Sequence, residues 1–528
     1  MNKLIYVATC FLACVLLLSA CTTIPKEYPR TESHAFTDTR ATLLGEEVGR
    51  QLKAHPGQSA VLPLYQGIDA LAARLGLALY AQKSLDVQYY IWRGDATGVA
   101  VAAALLHAAD RGVRVRLLLD DLQASAYDPA LLALDEHPNI EVRMFNPSAA
   151  RSAKAFEFLS RFSELNRRMH NKSFIADNQM AIVGGRNVGD EYFSASQEVD
   201  FADFDVLTIG PVVPEISATF DMYWNSELAV PISVLHGEDP EGRPGLPQLR
   251  QKLEEGWHTI ETSEYAQAVR QGRFVKDIEQ RQAQIYWGEA KAVADTPDKF
   301  LTNPQDKSTH LGPKLLPLLD NLHSDLFIVS PYFVPGDELV AYFAGLVKRG
   351  VKVTILTNSF ASNDVAVVYA GYAKYRKALL EAGVDLYEYK PNSVLIKQAK
   401  QRGSGLSGSS RASLHAKVFV FDRKRVFVGS LNLDPRSVKL NSELGVLFEN
   451  PTFASSLVTL VENGLAANSY HIRLVDERDA HGELIGKTVV WDTLEQGKAV
   501  TYTSEPHVGV FKKIGIWFMS LFVPEEML

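Results

Sequence analysis

Twice in this chain a histidine is followed at the second position by a lysine and, five residues after that, by an aspartate. The residues are His170, Lys172 and Asp177 in "MHNKSFIAD", and His415, Lys417 and Asp422 in "LHAKVFVFD". On an extended segment alternate side chains share a face, so each histidine and lysine would look into a common space. An imidazole placed there can act as a nucleophile or as a general acid and base, and an ammonium beside it can hold developing negative charge. One such motif is a weak signal, because half-exposed strands often carry both residue types. Two copies in matching surroundings carry far more weight.

The elements that must position them are legible around each copy. Asp177-Asn178 is a turn signal, and Met180 to Val183 supplies a returning strand that stops at Gly184-Gly185, so the first motif opens a hairpin. Upstream, "LDVQYYIW" (85–92) reads as a buried strand, 98–111 as an alanine-rich helix and "VRVRLLLDD" (113–121) as a second strand, which makes a βαβ unit. The order recurs in "DLFIVSPYFV" (325–334), a helix around 338–349 and "VKVTILTNS" (351–359). Arg111-Gly112-Val113 matches Arg349-Gly350-Val351 at an offset of 238 residues. His170, Lys172, Asp177, Gly184 and Asn187 meet His415, Lys417, Asp422, Gly429 and Asn432 at an offset of 245. Packing needs alone rarely repeat so many polar positions, so the chain reads as a duplicated α/β unit.

A doublet of His-x-Lys-x4-Asp, each followed by a Gly-x-x-Asn segment, resembles the phospholipase D superfamily, and the two-copy layout spans residues 60 to 470. The wording "RRMHNKSFIAD", "VGGRNVGDEYF", "NDVAVVYAGYAKYRK" and "GSLNLDPRS" is most similar to the C type of its cardiolipin synthase branch. The resemblance implies an α/β fold of two similar phospholipase D-like α-β-α sandwich domains with the active site at their interface. They fall at 58–284, including a helical connection, and at 285–500. It also implies that His170, Lys172, Asp177, His415, Lys417 and Asp422 form the catalytic set and that Asn187, Ser430 and Asn432 bind substrate. Two histidines facing each other across a phosphodiester can divide the work, one attacking phosphorus while the other protonates the departing alkoxide. The resemblance favours His170 as nucleophile and His415 as acid and base. Lys172 and Lys417, with the amides of Asn187 and Asn432, would hold the charge on the non-bridging oxygens, so neither a metal nor a cofactor is called for.

Asp177 and Asp422 stand at strand ends, where turn-forming hydrogen bonds are the commonest work of an aspartate, and a mainly structural role is expected of both. Acids that could orient the histidines and fix their tautomers lie downstream. Glu443 in "NSELGV" is 28 residues after His415, and Asp205 in "FADFDVLTIG" is 35 after His170, with Asp200 and Asp203 as close rivals. The second copy has Gly429-Ser430 where the first has Gly184-Gly185, so the halves are expected to contribute unequally.

Hydrophobic residues at 46% and charged residues at 22% of 528 allow a large core in an ordinary globular chain. A net charge of −8 gives no general field for a polyanion, which disfavours nucleic acid and the nucleases of the same superfamily. Lys3, an apolar stretch over 4–18 and then Leu18-Ser19-Ala20-Cys21 read as an export signal whose end resembles the lipobox of bacterial lipoproteins. Residues 1–20 are therefore expected to be removed, Cys21 lipidated and 21–57 a flexible tether. The protein would then sit on the periplasmic side of a bacterial envelope. Cys10, Cys14 and Cys21 are the three cysteines, so a mature chain would have no thiol for a disulfide or for catalysis. Within a C-terminal tail at 501–528, "FKKIGIWFMSLFVP" (511–524) suits the bilayer interface, and the basic, Gly/Ser-rich 397–415 reads as a loop over the site. Phospholipids and the bacterial membrane are thus the expected partners. A phosphatidyl-histidine taken by a phosphatidylglycerol hydroxyl gives cardiolipin, and taken by water it gives hydrolysis; a lipoprotein scaffold with a silent site is the reading the intact doublet argues against.

Overall fold

A computed structural model describes residues 24–25, 27–149, 151, 161–196, 198–236, 244–280, 282–391 and 411–508. The export signal with Cys21, most of the 397–415 loop and the tail beyond 508 lie outside the described residues. Ser84–Tyr89, Arg114–Asp120 and Ile140–Phe145 are neighbouring parallel strands. The helix joining the first two, Ala96–Asp110, is rich in alanine, and the Asp95 carboxylate caps it by accepting from the Gly98 N–H. It stops at Gly112, whose φ of +91° lets the chain leave in the left-handed conformation. The second half repeats this with Asp325–Val329, Lys352–Asn358 and Asp385–Tyr389, and with a helix Gly336–Lys348 that stops at Gly350, φ +90°. The two Arg-Gly-Val triplets therefore mark equivalent helix ends.

Beside each parallel trio the motif hairpin adds antiparallel strands, Ser173–Ala176 with Met180–Gly184 and Val418–Phe421 with Arg425–Gly429. Asp205–Ile209 and Leu444–Glu449 follow on the outer side. Tyr286–Ala294 then joins the halves, because its first residues pair with Ser59–Val61 and the rest with Leu444–Glu449, so that among the described residues eighteen strands run as one sheet. A single apolar core crosses the seam: Val183, Phe204 and Val206 of the first half pack in one cluster with Val428, Leu444 and Val446 of the second. Each such side chain, fully buried, contributes about 1.5–3 kcal/mol, so the halves are held together as an interior is.

The flexible tether expected over 21–57 is corrected for its described part. Leu43–Leu52 is a helix capped by the Thr42 hydroxyl, with Leu44 and Val48 buried. Ahead of it the Ser33 and Ala35 N–H groups donate to the Asn225 and Asp221 side chains, and the Asn178 amide donates to the Phe36 carbonyl. Leucine, valine and leucine at 44, 48 and 52 have helical spacing, but only one turn-wide stripe of them stands in a polar context. Leu246–Glu261, Glu264–Gln271 and Arg273–Glu279 form the helical connection over the first half. Ser469–Arg478, Leu484–Glu495 and Lys498–Tyr502 extend the second half's sheet past residue 500. Among the described residues no helix is long and apolar enough to cross a membrane.

Candidate active site

The strands of the two motif hairpins begin at Ser173 and Val418, so the histidines and lysines lie in extended loops just ahead of them. Those loops are held by the opposite half. The His170 N–H donates to the Ser442 carbonyl and the Ser442 N–H to the Arg168 carbonyl. The His415 N–H donates to the Ala202 carbonyl, continuing a short parallel pair made by Arg411–Leu414 and Val199–Ala202. From within each half a strand-end side chain completes the grip. Asp120 accepts from the Met169 N–H and pairs with the buried Arg168, while the Asn358 amide both accepts from the N–H and donates to the carbonyl of Leu414.

The same crossing supplies the acids, since Glu443 follows Ser442 and Asp203 follows Ala202. His170 Nδ1 lies 2.9 Å from Glu443 Oε2, and His415 Nδ1 lies 2.6 Å from Asp203 Oδ2. With Nδ1 tied to a carboxylate, Nε2 is left as the reacting nitrogen of each ring. Tyr90 meets His170 edge to face, and Phe201 stacks on His415, which fixes the ring planes. Asp205, expected beside a histidine, is instead buried against Arg74 at 2.9 Å and accepts from the Arg186 N–H. It opens a strand and pairs across Gly184, whereas Asp203 lies just beyond the strand end against Gly185, where a Cβ would come within 2.1 Å of its Oδ1. Laying Val206 on Val446 in the sequence brings Asp203 onto Glu443 and Asp205 onto Gly445, which is the signal that separates the rivals.

The family model described as cardiolipin synthase, PLD-like domain, matches residues 78–224 and 315–463, each stretch holding one motif and one of the two acids. The chain belongs to this family. It is 40% identical over 475 residues, 90% of this chain and 97% of the relative, to cardiolipin synthase C of Escherichia coli (strain K12). An uncharacterized protein of Helicobacter pylori (strain ATCC 700392 / 26695) is 33% identical over 518 residues, 97% of this chain and 98% of that one. The phosphatidylserine synthase structure from Haemophilus influenzae Rd KW20 superposes with a TM-score of 0.51 at 14% identity, over 80% of this chain and 91% of that one, a likeness of fold.

Lys172 Nζ donates to the His170 carbonyl at 2.6 Å, and Lys417 Nζ donates to the His415 carbonyl. Burial pushes the Lys172 ammonium down to about 7 and that of Lys417 to about 8, with Glu443 and Asp203 opposing. Burial also pushes Glu443 up to about 7, against Lys172 and the hydroxyls of Ser430 and Ser437, both of which donate to its carboxylate. It holds His170 well below the ordinary histidine value, reinforced by Lys172 and Lys417. Asp203 behaves differently: burial raises it, but His415, Lys417 and Arg186 outweigh that and keep it below the usual carboxylate range. His415 is lowered by burial and by Lys417, with Asp203 resisting.

Asn187 accepts from the Ile91 N–H and donates to the Tyr192 hydroxyl, so its amide braces the loop beside His415. The Asn432 backbone N–H donates to the Ser437 hydroxyl oxygen, and the buried Oδ1 of Asn432 has no protein partner among the described residues. The remaining acids of the motifs work on the backbone. Asp177 accepts from the N–H groups of Gln82, Lys83 and Ser84, and Asp422 from those of His323, Ser324 and Asp325. Each thereby ties its hairpin turn to the start of the first parallel strand of its own half.

Proposed function

We propose that this protein is a membrane-associated phosphatidyltransferase that carries a phosphatidyl group through a phosphohistidine to the hydroxyl of a second phospholipid, making cardiolipin. The crossed pair of carboxylate–histidine dyads beside two buried lysines carries this reading. The 40% identity to cardiolipin synthase C over nearly its whole length supports the choice of reaction. His170 Nε2 attacks phosphorus, the bond to the leaving oxygen breaks, and His415 gives that oxygen its proton. In the second step the acceptor hydroxyl gives its proton to His415, its oxygen bonds phosphorus, and the P–N bond breaks. The dyads suit these roles: Asp203 remains a full carboxylate that supports an imidazolium on His415, whereas the charge of Glu443 is spread over two hydroxyl donors and His170 keeps a free lone pair. Lys172 and Lys417 can hold the equatorial oxygens, so the step needs no further cation.

In this reading the chain is a lipoprotein anchored through Cys21 on the periplasmic side, close to its substrates. Mass spectrometry of membrane-extracted protein should show an acylated N-terminal cysteine, and an intact Met1 on the mature protein would remove the anchor. Purified protein given labelled phosphatidylglycerol in vesicles of total bacterial phospholipid should place label in cardiolipin. Label in phosphatidic acid alone would make it a hydrolase, and no turnover with no labelled histidine would overturn the mechanism.

A further inference from the structure

The likeness of the two halves breaks down around the mouth of the site. Where the second copy has Arg436, the first has Glu191, 245 residues earlier. Arg436 bears on the charge of His170 and is held by the Asn166 side chain at 2.6 Å. On the other side, Asp364 bears on the charge of both His415 and Lys417 and accepts from the Tyr332 hydroxyl at 2.8 Å. Asp364 also lines a cavity of about 540 Å³ together with Glu198, Phe201, Ser362, Arg411 and Ser413. Phe201 is also the ring stacked on His415, centroid to centroid 5.0 Å, so the cavity and that histidine share one aromatic wall. Beside His170 the charge is thus a guanidinium, whereas the cavity on the His415 side brings the Asp364 and Glu198 carboxylates together with the Arg411 guanidinium.

We propose that this cavity is the alcohol subsite, which first holds the headgroup alcohol leaving the phosphatidyl donor and then the acceptor that replaces it, with Asp364 accepting a hydrogen bond from a hydroxyl that does not react. The inference rests on the phosphatidyltransferase reading and deepens it. In-line displacement puts the leaving oxygen opposite the nucleophile, so attack by His170 sends the alcohol to the His415 side. The reverse path is the entry of the acceptor, which must occupy the same place. A cavity of this size suits a polar headgroup, and its acyl chains would remain in the membrane. A carboxylate beside the reacting hydroxyl favours an alcohol with further donors, such as a polyol, over a monohydric one. Arg411, which also donates to the Ala361 carbonyl at 2.9 Å, is the cation among the described lining residues and can meet the phosphate of a phospholipid acceptor whose glycerol hydroxyls reach Asp364.

Two small alcohols separate these contributions. Full-length protein in mixed micelles with labelled phosphatidylglycerol is offered 1,2-propanediol and 1-propanol in competition. Both present a primary hydroxyl, only the diol carries a neighbouring one, and the two phosphatidyl products separate by chromatography. The wild type should favour the diol. Asp364→Ala should lower the ratio of kcat/KM for diol over propanol by about ten- to a hundredfold, chiefly through KM for the diol, as loss of a hydroxyl's partner requires. Asp364→Asn keeps an acceptor oxygen and should retain part of the preference. A wild type without preference, or an Asp364→Ala ratio that is unchanged because both products fall together, overturns the subsite. Absence of transfer to either alcohol, with no phosphohistidine formed, would instead remove the underlying phosphatidyltransferase reading.

Discussion

Each histidine is defined by what its Nδ1 meets, and the two partners differ enough to separate the histidines by role. If His170 is the nucleophile, His170→Ala forms no covalent phosphatidyl intermediate. A His415→Ala protein is still labelled when the leaving group is p-nitrophenol, which departs without a proton, and the label then accumulates because the acceptor has lost its base. Rapid denaturation without acid traps it, and label on His415 in the intact enzyme would reverse the roles. The lysines make a second expectation. With values near 7 and 8, Lys172 and Lys417 shed protons as pH rises, and a bound dianion must bring them back. Tungstate binding should weaken by up to about tenfold per lysine for each pH unit above its value, with proton uptake measurable by calorimetry in buffers of different ionisation enthalpy. The sign for stability is opposite. Between those values and the ordinary 10.5 the unfolded chain binds more protons, so these lysines make stability rise with pH in that window. Pairwise repetition singles out the histidines and lysines that the structure brings together, and it marks the asparagines as equivalent positions of the two halves. Asp203 stands two residues from Asp205 and shares no motif with it, so only laying Val206 on Val446, which sets Asp203 on Glu443, separates the two in the sequence.

At the scale of the element, the aspartates of the two motifs are braces. Asp177 is fully buried and accepts from three consecutive N–H groups at the entry to Ser84–Tyr89, so Asp177→Ala leaves those donors without an acceptor. Its unfolding free energy should fall by roughly 2–4 kcal/mol in denaturant titration, and Asp422→Ala should lose less because Asp422 is only half-buried. A full loss of turnover with the denaturation midpoint unmoved would bring Asp177 into the chemistry instead. The parallel strands and their helices were readable from apolar runs ended by Arg-Gly-Val, to within a few residues. The strand read over 85–92 stops at Tyr89 because the chain beyond it turns to loop contacts, among them the Ile91 N–H to Asn187. The helix Leu43–Leu52 escaped because its buried stripe is narrow and it follows a long polar stretch.

For the whole molecule, duplication was legible and its consequence was not. Both acids lie some thirty residues after the histidine of their own half, which invites pairing within each half, yet Asp203 reaches His415 and Glu443 reaches His170. The pairing is set by the seam, where one apolar core and the strand Tyr286–Ala294 hold the halves so that each carboxylate loop lies beside the other half's motif. No local pattern in the sequence encodes that contact. The crossing predicts which step each acid controls. Asp203→Asn, although it changes the first half, should behave like loss of His415: a p-nitrophenyl donor still labels His170, and breakdown of the phosphohistidine slows by roughly 10²–10⁴-fold. Glu443→Gln, although it changes the second half, should slow formation of the label by a similar factor, because a carboxamide can hold the His170 ring in the wrong tautomer and take the lone pair away from Nε2. Rapid-quench measurement of the labelled fraction against time distinguishes the two. If Asp203→Asn abolishes labelling while Glu443→Gln lets label accumulate, each acid serves the histidine of its own half in solution, and the crossed architecture of the site is wrong.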